Sequence, residues 1–146
     1  MPPGSLKAAD GDSVLVLVLP HHVSGHWLEV EPMIAQALKR GHSHWSALNI
    51  FEYLLKGEML LWLSKRGDEI EACGVTQIIN YPLSRVCSIL VISGKVSENW
   101  LRFEADFTEY ARKQYCTQME GYGRRGWQRL APEGWEPIQV VFRKKL

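Results

Sequence analysis

Trp62-Leu63-Ser64-Lys65-Arg66-Gly67-Asp68-Glu69-Ile70-Glu71-Ala72-Cys73-Gly74-Val75 lies near the middle of the chain and carries its clearest local signal. Two apolar runs flank the polar tetrad Lys65-Arg66-Gly67-Asp68, which predicts a β-hairpin. The first arm is expected over residues 59–64 and the return arm over 69–79. Pro82 and Ser84 mark the next turn, and a third strand follows over 86–92. Three strands joined by short polar turns predict an antiparallel meander.

Upstream, Val14-Leu15-Val16-Leu17-Val18-Leu19 is a continuous β-favouring run that Pro20 ends. Continuous rather than alternating apolarity predicts a strand covered on both faces. The segment 21–27 reads as a loop, and 27–40 as a helix in which Val30, Met33, Ile34, Ala37 and Leu38 share a face. Gly41 stops that helix, and Pro32 falls in its first turn. A second helix is expected over 46–56, with Ser46 as cap and Gly57 as stop.

Downstream, Gly94 closes the third strand of the meander. A long helix follows over 97–115, with Ser97 as a possible cap and Trp100, Phe103, Phe107, Tyr110 and Ala111 as its apolar stripe. Such a stripe belongs to a core rather than to a cofactor box. A short strand over 117–122, a short helix over 126–130 and a terminal strand over 138–142 complete the order. Residues 1–12 read as a flexible leader and 13–146 as one domain.

The composition bounds the function. The 146 residues carry a formal net charge of +1 and no long run of either sign. A nucleic-acid partner is not expected, because phosphate neutralisation needs clustered Lys and Arg. The tail Arg143-Lys144-Lys145 reads as a solvated strand end. No apolar run approaches the roughly 20 residues that span a bilayer, so no membrane partner is expected. The start lacks a signal-peptide pattern. Cys73, Cys87 and Cys116 are odd in number and unpaired in spacing, so they predict a reducing compartment and inert thiols. His21, His22 and His26, with His42 and His44, match no metal-ligand spacing, and no metal is expected.

The order of strand, two helices, three antiparallel strands, long helix, strand, short helix and strand resembles the GNAT (Gcn5-related N-acetyltransferase) fold. The hairpin quoted above is similar to that family's second and third strands. Leu130-Ala131-Pro132-Glu133-Gly134-Trp135 resembles its late helix and hydrophobic-x-x-x-Gly-aromatic step. The resemblance implies an α/β (α+β) domain with a mixed, mostly antiparallel central sheet and helices on both faces. It also implies an acyl-CoA cofactor, held where the fourth strand meets the long helix by an Arg/Gln-x-x-Gly-x-Gly/Ala loop.

Here that junction reads Ile92-Ser93-Gly94-Lys95-Val96-Ser97-Glu98-Asn99, with one glycine, one lysine and an acidic residue at the helix start. Ser93, Gly94 and Lys95 are the residues that would meet the cofactor if acetyl-CoA binds; the degenerate loop predicts that none does. The family's late-helix tyrosine, an acid toward the departing thiolate, has no counterpart in 126–133, and Tyr122 is the nearest. Glu71 or a histidine are candidate bases. Gly121-Tyr122-Gly123-Arg124-Arg125-Gly126-Trp127 reads either as a tight strand-to-helix turn or as a second candidate site, in which Tyr122, Arg124 and Arg125 would meet an anion or partner.

The Ser93-Gly94-Lys95 junction before an aromatic-rich helix also resembles GNAT-like proteins of tailed bacteriophages, including internal virion proteins. It implies a fold reused as a structural or protein-interaction part, in the host cytoplasm or the virion. An active N-acyltransferase is the alternative. Six tryptophans offer interface anchors, with Trp27, Trp45, Trp127 and Trp135 expected outside the helical stripe.

Overall fold

A computed structural model describes residues 13–41, 44–123, 129 and 134–146, with 96–98 described through their backbone alone. Strand β1 (Val14–Val18) leads through a single 3₁₀ turn into α1 (Val23–Arg40), which is followed by α2 (Ala47–Leu55). Then come β2 (Leu60–Arg66), β3 (Glu69–Asn80), β4 (Arg85–Gly94), α3 (Val96–Lys113) and β5 (Gln118–Gly121). The five strands form one sheet in the order β1-β2-β3-β4-β5. The first four are antiparallel, and β5 runs parallel to β4.

The meander of β2, β3 and β4 is as expected, because its signals are local. Ser46 caps α2 through a reciprocal capping box with Asn49, which satisfies two end groups at once. The helix α1 begins earlier than its apolar periodicity predicts, at Val23 rather than Trp27, so 23–27 is helix and not loop. Pro32 consequently lies inside α1 and not in its first turn. The residue four before it, Leu28, lies on the solvent side, where water can satisfy the carbonyl that Pro32 leaves unbonded. Ser97 is not the cap of α3, since the helix already starts at Val96 and Lys95 occupies the cap position.

Two cores flank the sheet. Val30 and Ile34 of α1 and Ile50 and Leu54 of α2 pack with Leu61, Leu63, Cys73 and Val75. On the other face, Trp100, Phe103 and Phe107 of α3 pack with Leu15, Trp62, Ala72 and Ile89. Helices therefore cover both faces, as expected. Gly74 permits the close approach of α3: a Cβ there would sit 3.0 Å from the Phe107 ring. Strand β1 is less enclosed than its apolarity predicts, because it is an edge strand with Val16 turned partly to solvent.

The expected terminal strand is absent. Residues 135–146 form no strand, and Ile138, Val140, Val141 and Phe142 are exposed at 69%, 72%, 69% and 92%. β-propensity measures fit to a paired, half-buried surface, and no described strand pairs with this segment. The leader 1–12 and the predicted helix 126–130, apart from Arg129, lie outside the described residues.

Candidate functional site

Strand β4 changes character halfway along. Val86 to Ile89 are paired on both sides, to β3 and to β5. The last β5 pair is Ile89 with Gly121. At that level β4 carries an extra residue: Val75 faces Val91 while Thr76 faces Ile89, so Leu90 is bulged. Bulges bend a strand and sharpen its twist. From Leu90 to Gly94, β4 keeps β3 on one side, while no described strand lies on the other. Tyr122 follows immediately after the last paired residue of β5, where the two strands separate, and is largely exposed. Desolvation, with Tyr81 and Glu120 nearby, pushes its phenol above the usual value.

The open half of β4 ends at the expected junction. Ser93 is buried. Gly94 has φ +100°, and a Cβ there would fall 2.4 Å from the Glu71 carbonyl oxygen and 2.8 Å from Ala72 Cα. Backbone atoms cannot yield to such a contact, so glycine is required by both conformation and space. The Lys95 N–H donates to the Glu71 carbonyl oxygen at 2.9 Å. Asn99 ties the helix start down: its amide donates to the Lys95 carbonyl, and it accepts from the buried Ser64 hydroxyl, both at 2.6 Å.

Glu71 is the second bulged residue of the sheet. Ser64 faces Ala72 and Lys65 faces Ile70, so Glu71 is extra on β3. Its carboxylate is buried, with Oε2 3.1 Å from Arg66 Nε and 3.6 Å from Lys95 Nζ. Oε1 has no hydrogen-bond partner among the described residues. The Arg66 hydrogen bond, aided by the charges of Arg66 and Lys95, outweighs desolvation and holds this carboxyl below the usual range. A carboxyl so stabilised is a poor proton acceptor at neutral pH. The candidate base Glu71 therefore acts as a counter-ion.

Ser93, Gly94 and Lys95 are thus brought together, and Glu71, Arg66 and Asn99 join them. Arg66 and Asn99 escaped the sequence reading. The available signal was Glu71 itself, a charge inside the apolar strand Ile70-Glu71-Ala72-Cys73. In the second candidate site Tyr122 is placed as described, and Arg124 and Arg125 lie outside the described residues.

A cavity of about 440 Å³ lies away from this junction, lined by Leu60, Thr76, Gln77, Asn80, Arg85 and Tyr110 among others. Its guanidinium is already engaged, with Asn80 and the Gln114 carbonyl. Burial pushes the Cys73 and Cys87 thiols up to about 12, which leaves them protonated and inert. No described group of His, Cys, Asp or Glu could hold a metal ion. No described helix is long and apolar enough to cross a membrane. Trp27, Trp45 and Trp135 are partly buried. Trp27 stacks on Phe51, Trp45 meets Tyr53 and Trp135 meets Trp100. Trp127 lies outside the described residues.

No protein-family model and no curated protein matches this chain. Solved structures do. A GNAT family acetyltransferase of Staphylococcus aureus superposes with a TM-score of 0.65 at 12% identity, over 92% of this chain and 99% of that one. The aminoglycoside acetyltransferase AAC(6')-Iy, in complex with a CoA bisubstrate analogue, gives 0.65 at 14% identity over 92% and 98%. A probable acetyltransferase gives 0.64 at 11% identity over 90% and 99%. Likeness of this kind establishes the fold: the chain adopts the GNAT acetyltransferase architecture.

Proposed function

We propose that this GNAT-fold chain works by binding other proteins, as a component of a larger assembly, and not by transferring an acyl group. The phage resemblance of its Ser93-Gly94-Lys95 junction favours a virion or an infected cell as the setting. The observation that supports this reading is the double commitment of Lys95 to Glu71. A pyrophosphate cradle needs unengaged backbone N–H groups and cations at the helix start. Here the Lys95 N–H is bonded to the Glu71 carbonyl, and its ammonium faces the Glu71 carboxylate. An incoming pyrophosphate would meet a buried negative charge that already uses both local cations.

Titration of the protein with CoA and acetyl-CoA, read by melting temperature and calorimetry, tests the reading. No shift is expected. A ligand at about a hundredfold excess over Kd would add roughly 2.7 kcal/mol, and a shift of that size would overturn it. Glu71→Gln removes the competing charge and is expected to raise affinity for inorganic pyrophosphate.

A second reading, an N-acyltransferase using acetyl-CoA or another acyl-CoA, has its own observation. The unpaired half of β4 offers backbone groups to an extended amide-bearing ligand. Tyr122 stands at the opening with a raised pKa, as an acid toward a thiolate would. Acetyl-CoA-dependent thiol release that is lost in Tyr122→Phe would favour this reading.

A further inference from the structure

The cavity of about 440 Å³ lies between Tyr110 of α3 and the sheet, at the Arg85 end of β4, with Gly94 at the other end of that strand. Its volume is that of a small-molecule site, but its lining is more polar than is usual for one. Thr76, Gln77, Asn80 and Tyr110 offer neutral hydrogen-bonding groups, while Glu58 and Arg85 bring one charge of each sign. Arg85 is oriented in advance: Nε donates to the Gln114 carbonyl and Nη1 to Asn80 Oδ1, both at 2.8 Å. These bonds fix the guanidinium plane, and Nη2 has no hydrogen-bond partner among the described residues. No described carboxylate pairs with Arg85, and no described cation pairs with the exposed Glu58. The neutral groups are held as well. Thr76 accepts from Trp62 Nε1 at 3.0 Å and keeps its own hydroxyl proton to donate. Tyr110 stands edge-on to the Trp62 ring at 5.4 Å, and burial raises its phenol pKa, so it stays a neutral donor.

We propose that this cavity binds a free amino acid, with the carboxylate on Arg85 Nη2, the ammonium on Glu58 and the aliphatic part over Leu60 and Ile78. The two charges stand on opposite sides of β3. Glu58 comes two residues before Leu60, which pairs with Thr76, and Arg85 pairs with Asn80 across the other edge of that strand. Two strand spacings, roughly 10 Å, separate the two backbones, and both long side chains reach into the space between them. A ligand complementary to this lining carries both signs a short distance apart and no net charge. A phosphate or a dicarboxylate would turn a surplus negative charge toward Glu58. A neutral sugar would leave both charges unmatched. This goes beyond the function proposed above and holds whether or not a partner or acyl-CoA binds.

Saturation-transfer NMR and melting temperature of the full chain, with each free proteinogenic amino acid at millimolar concentration, are the test. At least one amino acid is expected to bind. Glu58→Gln, on an exposed side chain, should weaken that binding at least tenfold, or about 1.4 kcal/mol, and leave the melting temperature of the unliganded chain unchanged. The N-acetyl derivative of the same amino acid lacks the ammonium and should bind wild type and Glu58→Gln equally weakly. The carboxamide derivative lacks the carboxylate and should be indifferent to Arg85→Gln. Arg85 also ties Gln114 to Asn80, so if Arg85→Gln fails to fold, Glu58→Gln and the N-acetyl derivative decide the matter alone. Absence of binding by every amino acid overturns the proposal. Binding that Glu58→Gln leaves unchanged lies elsewhere and overturns it equally, as does a preference for glucose or inorganic phosphate over every amino acid.

Discussion

The two halves of β4 are made from similar residues and end in different circumstances. Val86 to Ile89 lie between β3 and β5, with Ile89 packed under Trp100, Phe103 and Phe107. Leu90 to Gly94 lose β5 at the bulge and finish on a left-handed glycine clamped against Glu71. The first half is held by paired backbone and aromatic packing. The second is held by one neighbouring strand, one conformationally special residue and an ion cluster. Sites are commonly placed where regular pairing stops, because only there are backbone groups free to meet something else.

The largest expected effect is at the clamp. Gly94→Ala places a methyl into the β3 backbone and forces φ +100° on a residue with a side chain. Strain of this kind costs about 1–3 kcal/mol by itself, and the overlap should carry the total to about 4 kcal/mol or more. Denaturant unfolding would measure the total. Amide exchange should quicken at 92–96 before 86–89 if the two halves are as independent as their surroundings suggest, and equal acceleration would break the comparison.

Ile89→Ala is the matching probe of the first half. Its side chain is 4% exposed, so truncation should cost about 2–4 kcal/mol through lost burial and a residual cavity. Binding of any ligand or partner at the junction should be unchanged in the folded variant. The Lys95 N–H should also stay protected, because its partner Glu71 belongs to β3.

The smallest effect is a pH dependence. The Glu71 carboxyl lies below its ordinary 4.5 in the folded chain, chiefly through Arg66. A lowered folded pKa means that the unfolded chain binds the proton more readily. The stabilisation is therefore fully present above about 4.5 and is lost as pH falls through the depressed folded value. Glu71→Gln should lower the melting temperature near neutrality and less so in acid, which flattens the acid side of the profile. An unchanged acid limb would show that the cluster contributes nothing to folding.

Much of the architecture was legible in the chain itself. The hairpin around Gly67, the Ser46 cap and the stripe Trp100, Phe103, Phe107 depend on neighbours a few residues away. The site was legible only in part. Ser93, Gly94 and Lys95 could be named from their place between a strand and a helix. That Glu71 would claim Lys95 could not, since Glu71 lies on β3 and Lys95 at the cap of α3, and they meet through a bulge that shifts register by one residue.

The order of elements from β1 to β5, the meander and the two apolar helix faces are written in the chain, because periodicity and turn chemistry act over short separations. Only the folded arrangement leaves β4 without a second described strand beyond Leu90 and buries Glu71 as the counter-ion of Arg66 and Lys95. The same arrangement leaves Ile138 to Phe142, for all their β-propensity, with no described strand beside them. Each of these depends on which distant backbone lies alongside, and a strand or a buried charge is stable only when its partner is present.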